Sequence, residues 1–129
     1  SFKFCYIDNT YSSANTAFDS VKKVMEELET KYPNLKFFWW TMPIMTEGDS
    51  KRDQFNTLVR NYCKSNNKFL LDLADIECHS PEGVKQTSKD GYELLYSSYS
   101  DDGGHLITSG SLRVAKAYWV ILARMCGWK

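Results

Sequence analysis

The sequence predicts an α/β domain with helices on both faces of a parallel sheet, and three observations carry that prediction. Short apolar runs alternate with longer stretches whose apolar residues recur at helical spacing, in the order β-α-β-α-β-loop-α. The runs KFCYID (3–8), LKFFWWTM (35–42) and KFLLDLAD (68–75) are nearly unbroken in apolar character, as expected of strands covered on both faces. Between consecutive runs lies a helix long enough to cross over and return, the connection that parallel strands require.

The elements follow in order. After the first run, Phe18, Val21, Val24, Met25, Leu28 and Tyr32 recur at helical spacing across 14–32, and Pro33 with Asn34 stops that helix. The second run ends at Pro43, and IMTEGDS (44–50) reads as a loop. Ser50 reads as the cap of the next helix, with Asp53 at an acidic first-turn position. Phe55, Leu58, Val59, Tyr62 and Cys63 form its apolar face. After the third run comes a polar, irregular stretch (78–90), then YELLYSSYS (92–100) as a short helix or turn. The last helix spans about 109–126, with Leu112, Ala115, Trp119, Leu122 and Cys126 expected inside and Gly127 as its C-terminal cap.

Composition bounds the function. The 129 residues suit one domain, and 43% hydrophobic with 25% charged residues is globular rather than disordered composition. Sixteen basic residues balance sixteen acidic ones, so no net field draws in nucleic acid or an anionic membrane. No apolar run approaches the roughly 18 residues of a membrane span. The opening SFKFCYIDNT lacks the layout of a signal peptide, which leaves the compartment open. The aromatic share of 15% points to a rich core and to rings that could face a flat ligand such as a sugar. Cys5, Cys63, Cys78 and Cys126 contain no CxxC; Cys63 and Cys126 fall on apolar helix faces and read as buried free thiols. Three strands are few for such a sheet, and its edges would expose unpaired backbone groups. The expectation is the second half of a larger fold, with the edge at 3–8 covered by a missing N-terminal segment or a second copy.

Chemistry concentrates in YSDDGGHLITSG (99–110). The glycines between Asp102 and His105 let the chain fold back so that the carboxylate reaches the imidazole Nδ1. A carboxylate there fixes the tautomer and leaves Nε2 to accept a proton. The alternative is a glycine-rich turn whose aspartate caps the following helix. Gly48-Asp49-Ser50 also invites attention, because Ser50 lies between a strand and a helix, where a nucleophile would sit. Its position favours the helix-cap role, and no G-x-S-x-G elbow occurs. Cys78-His79 could suggest a thiol nucleophile or a metal pair. Adjacent residues point apart and no third ligand lies at a metal-like spacing, so the pair reads as polar loop and no metal or cofactor is expected. Glu77, ending the last strand, would lie at the functional edge of the sheet, against the alternative of an exposed loop acid. FFWW (37–40) reads as core, whereas Tyr96 and Tyr99 could rim a pocket.

These motifs, taken together, resemble the C-terminal half of an SGNH (GDSL-like) esterase. DGGHLITSG matches the DxxH block that precedes that family's last helix, at Asp102 and His105, with the later glycine at Gly110. FFWWTMPIM resembles its fourth strand with a terminal Thr-x-Pro, and FNTLVRNYCKSNNKFLLDLADIE resembles the helix and fifth strand that follow. KFCYIDN falls where the third strand and a Gly-x-Asn-Asp block would lie, placing Cys5 at the glycine, Ile7 at the oxyanion asparagine and Asp8 at the aspartate. Ile7 cannot donate that hydrogen bond.

The resemblance implies a flavodoxin-like three-layer α/β/α sandwich, of which residues 1–129 form the C-terminal part (β-α-β-α-β-α). It implies a serine-type ester hydrolase, with carbohydrate O-acetyl esters as a substrate class. His105 would be the base, Asp102 its orienter, Asp8 and Glu77 site-edge groups, and the serine would come from a segment outside this chain. The alternative is a non-catalytic module of the same fold that binds a glycan or a protein partner.

Overall fold

The computed structural model describes residue 5 and residues 11–128; the expected strand at 3–8, and Asp8 with it, lies outside the described residues. Helix α1 (Ala14–Lys31) starts at Ser13, whose Oγ accepts the Thr16 N–H at 3.1 Å. Strand β1 (Phe38–Trp40) pairs in parallel with β2 (Phe69–Leu71), Phe38 opposite Phe69 and Trp40 opposite Leu71. Helix α2 (Ser50–Ser65) connects the two strands, as a parallel pair requires. Helix α3 (Leu73–Cys78), a 3-10 turn (Ser97–Tyr99) and helix α4 (Thr108–Met125) complete the described chain. The protein is therefore a mixed α/β fold, with a two-stranded parallel sheet among the described residues.

Successive strand side chains point to opposite faces, and β1 shows what each face meets. Trp39 joins Ala17 and Met25 of α1 and Phe55, Val59 and Cys63 of α2 in one buried cluster. Phe38, with Leu71 of β2, packs instead on Ile121 and Met125 of α4. A separate cluster of Ile44, Ala74, Cys78, Leu95 and Tyr99 lies beneath the loops that follow the strands.

Both strands are shorter than their apolar runs. Thr41 still donates its N–H to Leu71 O, but Met42 has left the ladder. The buried Asn56 amide takes over: its Oδ1 accepts the Met42 N–H at 2.6 Å and its Nδ2 donates to Met42 O at 3.1 Å. A side chain of α2 thus satisfies the backbone where no strand partner exists.

The expected strand at 68–75 is corrected: it ends at Leu71, and Leu73, Ala74 and Asp75 belong to α3. Asp72 causes the switch. Its Oδ1 accepts the Asp75 N–H at 3.3 Å, while Thr41 Oγ1 accepts the Ala74 N–H at 2.9 Å, so two helix-start donors are satisfied locally. Arg60 grips the same carboxylate through Nε and Nη2 at 2.7 and 2.8 Å, and donates to the buried Glu93 at 2.9 Å. Lys85 meets the other Glu93 oxygen at 2.8 Å. This network, in which each acid has a cation, ties α2, the start of α3 and residues 85–93 into one unit.

Helix α4 has the expected bounds, and Gly127 follows its cap at φ +98°, a left-handed conformation suited to glycine. Its inward face is a correction. Ile121 and Met125 are buried, with Ala117 packed beside them, whereas Leu112, Ala115, Trp119, Leu122 and Cys126 are exposed, Trp119 at 74%. The helix is apolar on more than one side, and the strand pair engages the stripe continued by Tyr118, whose ring sits 5.7 Å from Phe38 and 5.9 Å from Trp40. On α1, Val24 and Tyr32 likewise stay exposed, and Ala14, Ala17 and Met25 are its buried residues. No described helix is long and apolar enough to cross a membrane.

Candidate functional site

Beyond the carboxyl end of β1, residues 41–46 are fastened from several directions. Asn56 holds Met42, Arg52 Nη1 donates to Pro43 O at 2.6 Å, and the Ile44 N–H donates to Glu77 Oε2 at 2.8 Å. Thr46 then donates its N–H to Gly103 O at 3.0 Å. The loop carrying Asp102 and His105 is thereby docked on the segment that extends the strand, on the side where open parallel sheets commonly place their sites.

The loop is closed at its base by the Ile107 N–H to Tyr99 O bond of 2.8 Å and by antiparallel pairing of Ser100 with Leu106. Leu106 packs into the cluster beneath. Gly110, on the first turn of α4, permits this closeness: a Cβ there would lie 2.8 Å from Tyr99 Cβ and 3.0 Å from Leu106 Cδ2. Gly103 sits at φ +86°, where side-chain-bearing residues are strained, and its turn folds the chain back on itself.

Within that turn Asp102 is held by its own neighbours. Oδ1 accepts from the His105 N–H at 2.8 Å, the Gly104 N–H at 2.9 Å and Ser100 Oγ at 3.1 Å. Oδ2 lies 2.6 Å from His105 Nδ1. The hydrogen bond from the His105 ring, then those from the His105 and Gly104 backbone, hold the Asp102 carboxyl well below the usual carboxylate range. An ionised carboxylate can only accept, so Nδ1 is the donor of this bond, and in the neutral ring Nε2 is then the acceptor nitrogen. The side chains remain 69% and 51% exposed, so the pair faces solvent rather than a closed cavity. Chemically, this is a positioned base with a fixed tautomer.

The other candidates fall elsewhere. Asp49, not Ser50, caps α2: its side chain accepts the Arg52 N–H at 2.9 Å, and Ser50 is the first helical residue. The expected capping role of Ser50 is thus corrected, because the carboxylate one position earlier already reaches the free N–H. Glu77 does not end a strand. It lies in α3, only 3% exposed, and its carboxylate braces Ile44. Tyr99 is buried at 3% and belongs to the core rather than to a rim, with Tyr96 edge-on against it at 4.9 Å. Phe38 and Trp39 are core, as FFWW suggested.

Asn56 and Arg52, which fasten the loop after β1, are not among the site residues expected from the sequence, Asn56 standing there only within the FNTLVR stretch of the resemblance. Their signal was visible: polar residues in register with Phe55, Val59 and Cys63 on a buried helix face. Asp75, Cys78 and His79 also come together, with ligand-type atoms within 4.8 Å of one another. Burial pushes the Cys78 thiol up to about 12, the opposite of what a nucleophilic thiolate requires.

No protein-family model matches the chain, and no curated protein matches it.

Proposed function

We propose that this chain supplies the Asp102–His105 half of a serine esterase site, in a fold that is the C-terminal part of a flavodoxin-like three-layer α/β/α sandwich. The observation that supports the reading most is the 2.6 Å contact between Asp102 Oδ2 and His105 Nδ1, locked by backbone donors at the carboxyl end of a parallel sheet. In this reading His105 Nε2 takes the proton of a serine hydroxyl as it attacks the ester carbonyl. Asp102 stabilises the imidazolium, which then protonates the leaving alcohol. Water repeats the sequence on the acyl-enzyme, with His105 again the base. The serine comes from polypeptide outside these 129 residues, and O-acetyl esters of carbohydrates are the substrate class.

A serine-directed phosphonate probe, applied to the protein as its gene encodes it, tests this reading. Labelling outside residues 1–129 that is suppressed by His105→Ala and slowed by Asp102→Asn is the expected result. Aryl-acetate turnover should fall in parallel, by a factor on the order of 10⁴ for a lost triad member. Labelling of Ser50, or turnover indifferent to His105→Ala, refutes it. An unlabelled, inactive protein supports instead a non-catalytic module that binds a glycan or protein partner.

A further inference from the structure

The end of α3 carries a second constellation, unrelated to the ester chemistry. Asp75 and Cys78 stand at i and i+3 on one side of the helical turn, and His79, the extended residue that follows the helix, turns its ring back onto them. Their donors converge. His79 Nδ1 lies 3.3 Å from Cys78 Sγ and 3.6 Å from Asp75 Oδ1, and all three ligand-type atoms fall within 4.8 Å of one another. Cys78 is fully buried, His79 partly and Asp75 exposed, so the cluster runs from the core to solvent.

We propose that Asp75, Cys78 and His79 form a zinc-type metal site with one coordination position open to solvent. The geometry supports this directly. Tetrahedral zinc, with bonds of about 2.0 Å to nitrogen and oxygen and 2.3 Å to sulfur, places its ligand atoms roughly 3.3–3.6 Å apart. The two separations from Nδ1 lie in this range; Cys78 Sγ and the Asp75 carboxylate lie within 4.8 Å, and rotation of the exposed Asp75 side chain brings them closer on binding. Without metal, both hydrogens point at one acceptor: Sγ lies 3.3 Å and Nδ1 2.6 Å from the Asp75 carbonyl oxygen. The sulfur, the ring nitrogen and the Asp75 carboxylate thus stand within 4.8 Å of one another, with the Asp75 carbonyl accepting from the first two. The nearby cations Arg60 and Lys85 are engaged by Glu93 and do not occupy it.

Binding balances simply. The thiol proton is released to solvent as the sulfur–metal bond forms. The imidazole stays neutral by shifting its proton from Nδ1 to Nε2, which frees the Nδ1 lone pair. The mixed sulfur, nitrogen and oxygen set suits zinc or cobalt better than magnesium or calcium, which prefer oxygen alone.

Cobalt(II), a spectroscopic stand-in for zinc, tests the site in the full chain after chelator treatment. One equivalent should produce a thiolate-to-cobalt charge-transfer band in the near ultraviolet, and zinc should erase it. Cys78→Ser should abolish the band, whereas Cys63→Ser, at the other buried thiol, should retain it. Because Cys78→Ser alters a buried position, the exposed Asp75→Asn provides a second reading; it should weaken cobalt binding at least about tenfold without changing the fold. Absence of the band in the unmodified chain, its survival in Cys78→Ser, or unchanged affinity in Asp75→Asn each overturns the proposal. None of these outcomes bears on the serine-probe experiment, so the two readings stand or fall separately.

Discussion

Asn56 offers the sharpest test of how the site is built. Its amide satisfies both backbone groups of Met42 and is itself fully buried, at the point where β1 gives way to the segment that docks the Asp102 loop. Asn56→Leu keeps nearly the same shape but leaves a buried N–H and a buried C=O without partners. Each such group costs about 1–3 kcal/mol. Added apolar contact offsets part of this, so the expected destabilisation is about 2–4 kcal/mol. With a urea m-value of about 2 kcal/mol/M, the midpoint should fall by about 1–2 M.

Thr57→Ala, at the adjacent exposed position, is the control and should stay within about 0.5 kcal/mol of the parent. Asn56→Asp adds a signature that packing alone cannot mimic. Ionised, its second oxygen faces Met42 O; protonated, it donates there as the amide did. Its folded-state pKa is therefore raised, and the hydrogen bond is present at acid pH and lost as pH rises through that value. An Asn56→Leu midpoint within about 0.3 M of the parent, at unchanged m, would refute the claim that this amide holds the segment.

Three further outcomes follow from the same geometry. Asp49→Ala should cost about 1 kcal/mol in thermal or urea unfolding while Ser50→Ala costs about 0.5 kcal/mol or less, since the carboxylate is the cap. Gly103→Ala should cost about 1–2 kcal/mol in the same assays, because φ +86° is left-handed and a new Cβ would press on Thr46 Oγ1. Asp102 has a depressed folded-state pKa, so the stability it lends is present above the ordinary aspartate value of about 3.9 and is lost as pH falls further. Carbon-13 NMR of the Asp102 carboxyl should accordingly place its own protonation step below the ordinary aspartate value of about 3.9.

Local signals with one physical cause were legible in the sequence. The bounds of α1, α2 and α4 follow from spacing, Pro33 and Gly127, and Asp-Gly-Gly-His announces a turn that returns a carboxylate to an imidazole. What failed required knowledge of partners. KFLLDLAD looks like one strand because Leu73 and Ala74 are apolar; that Asp72 starts a helix depends on Thr41 and Arg60, distant in sequence. The same error hid the convergence of Asp75 with Cys78 and His79: with 73–75 read as strand and 78 onward as irregular loop, the helical turn that brings these side chains together is missed. On α4 the periodicity allows more than one inward stripe, and only the rings of Phe38 and Trp40 decide for Tyr118 and Ile121 over Trp119.

Among the described residues, the hydrogen bonds that orient Asp102 come from residues 100–105. The pair is therefore encoded almost as a word is, in adjacent letters, while its placement in space is delegated to Thr46 and Gly110. Such a unit is portable. Residues 99–107, closed by the Ile107 to Tyr99 bond, should carry the aimed imidazole into any scaffold that presents a matching pair of chain ends. Substitutions elsewhere would then shift the point at which the base is delivered long before they change what the base is.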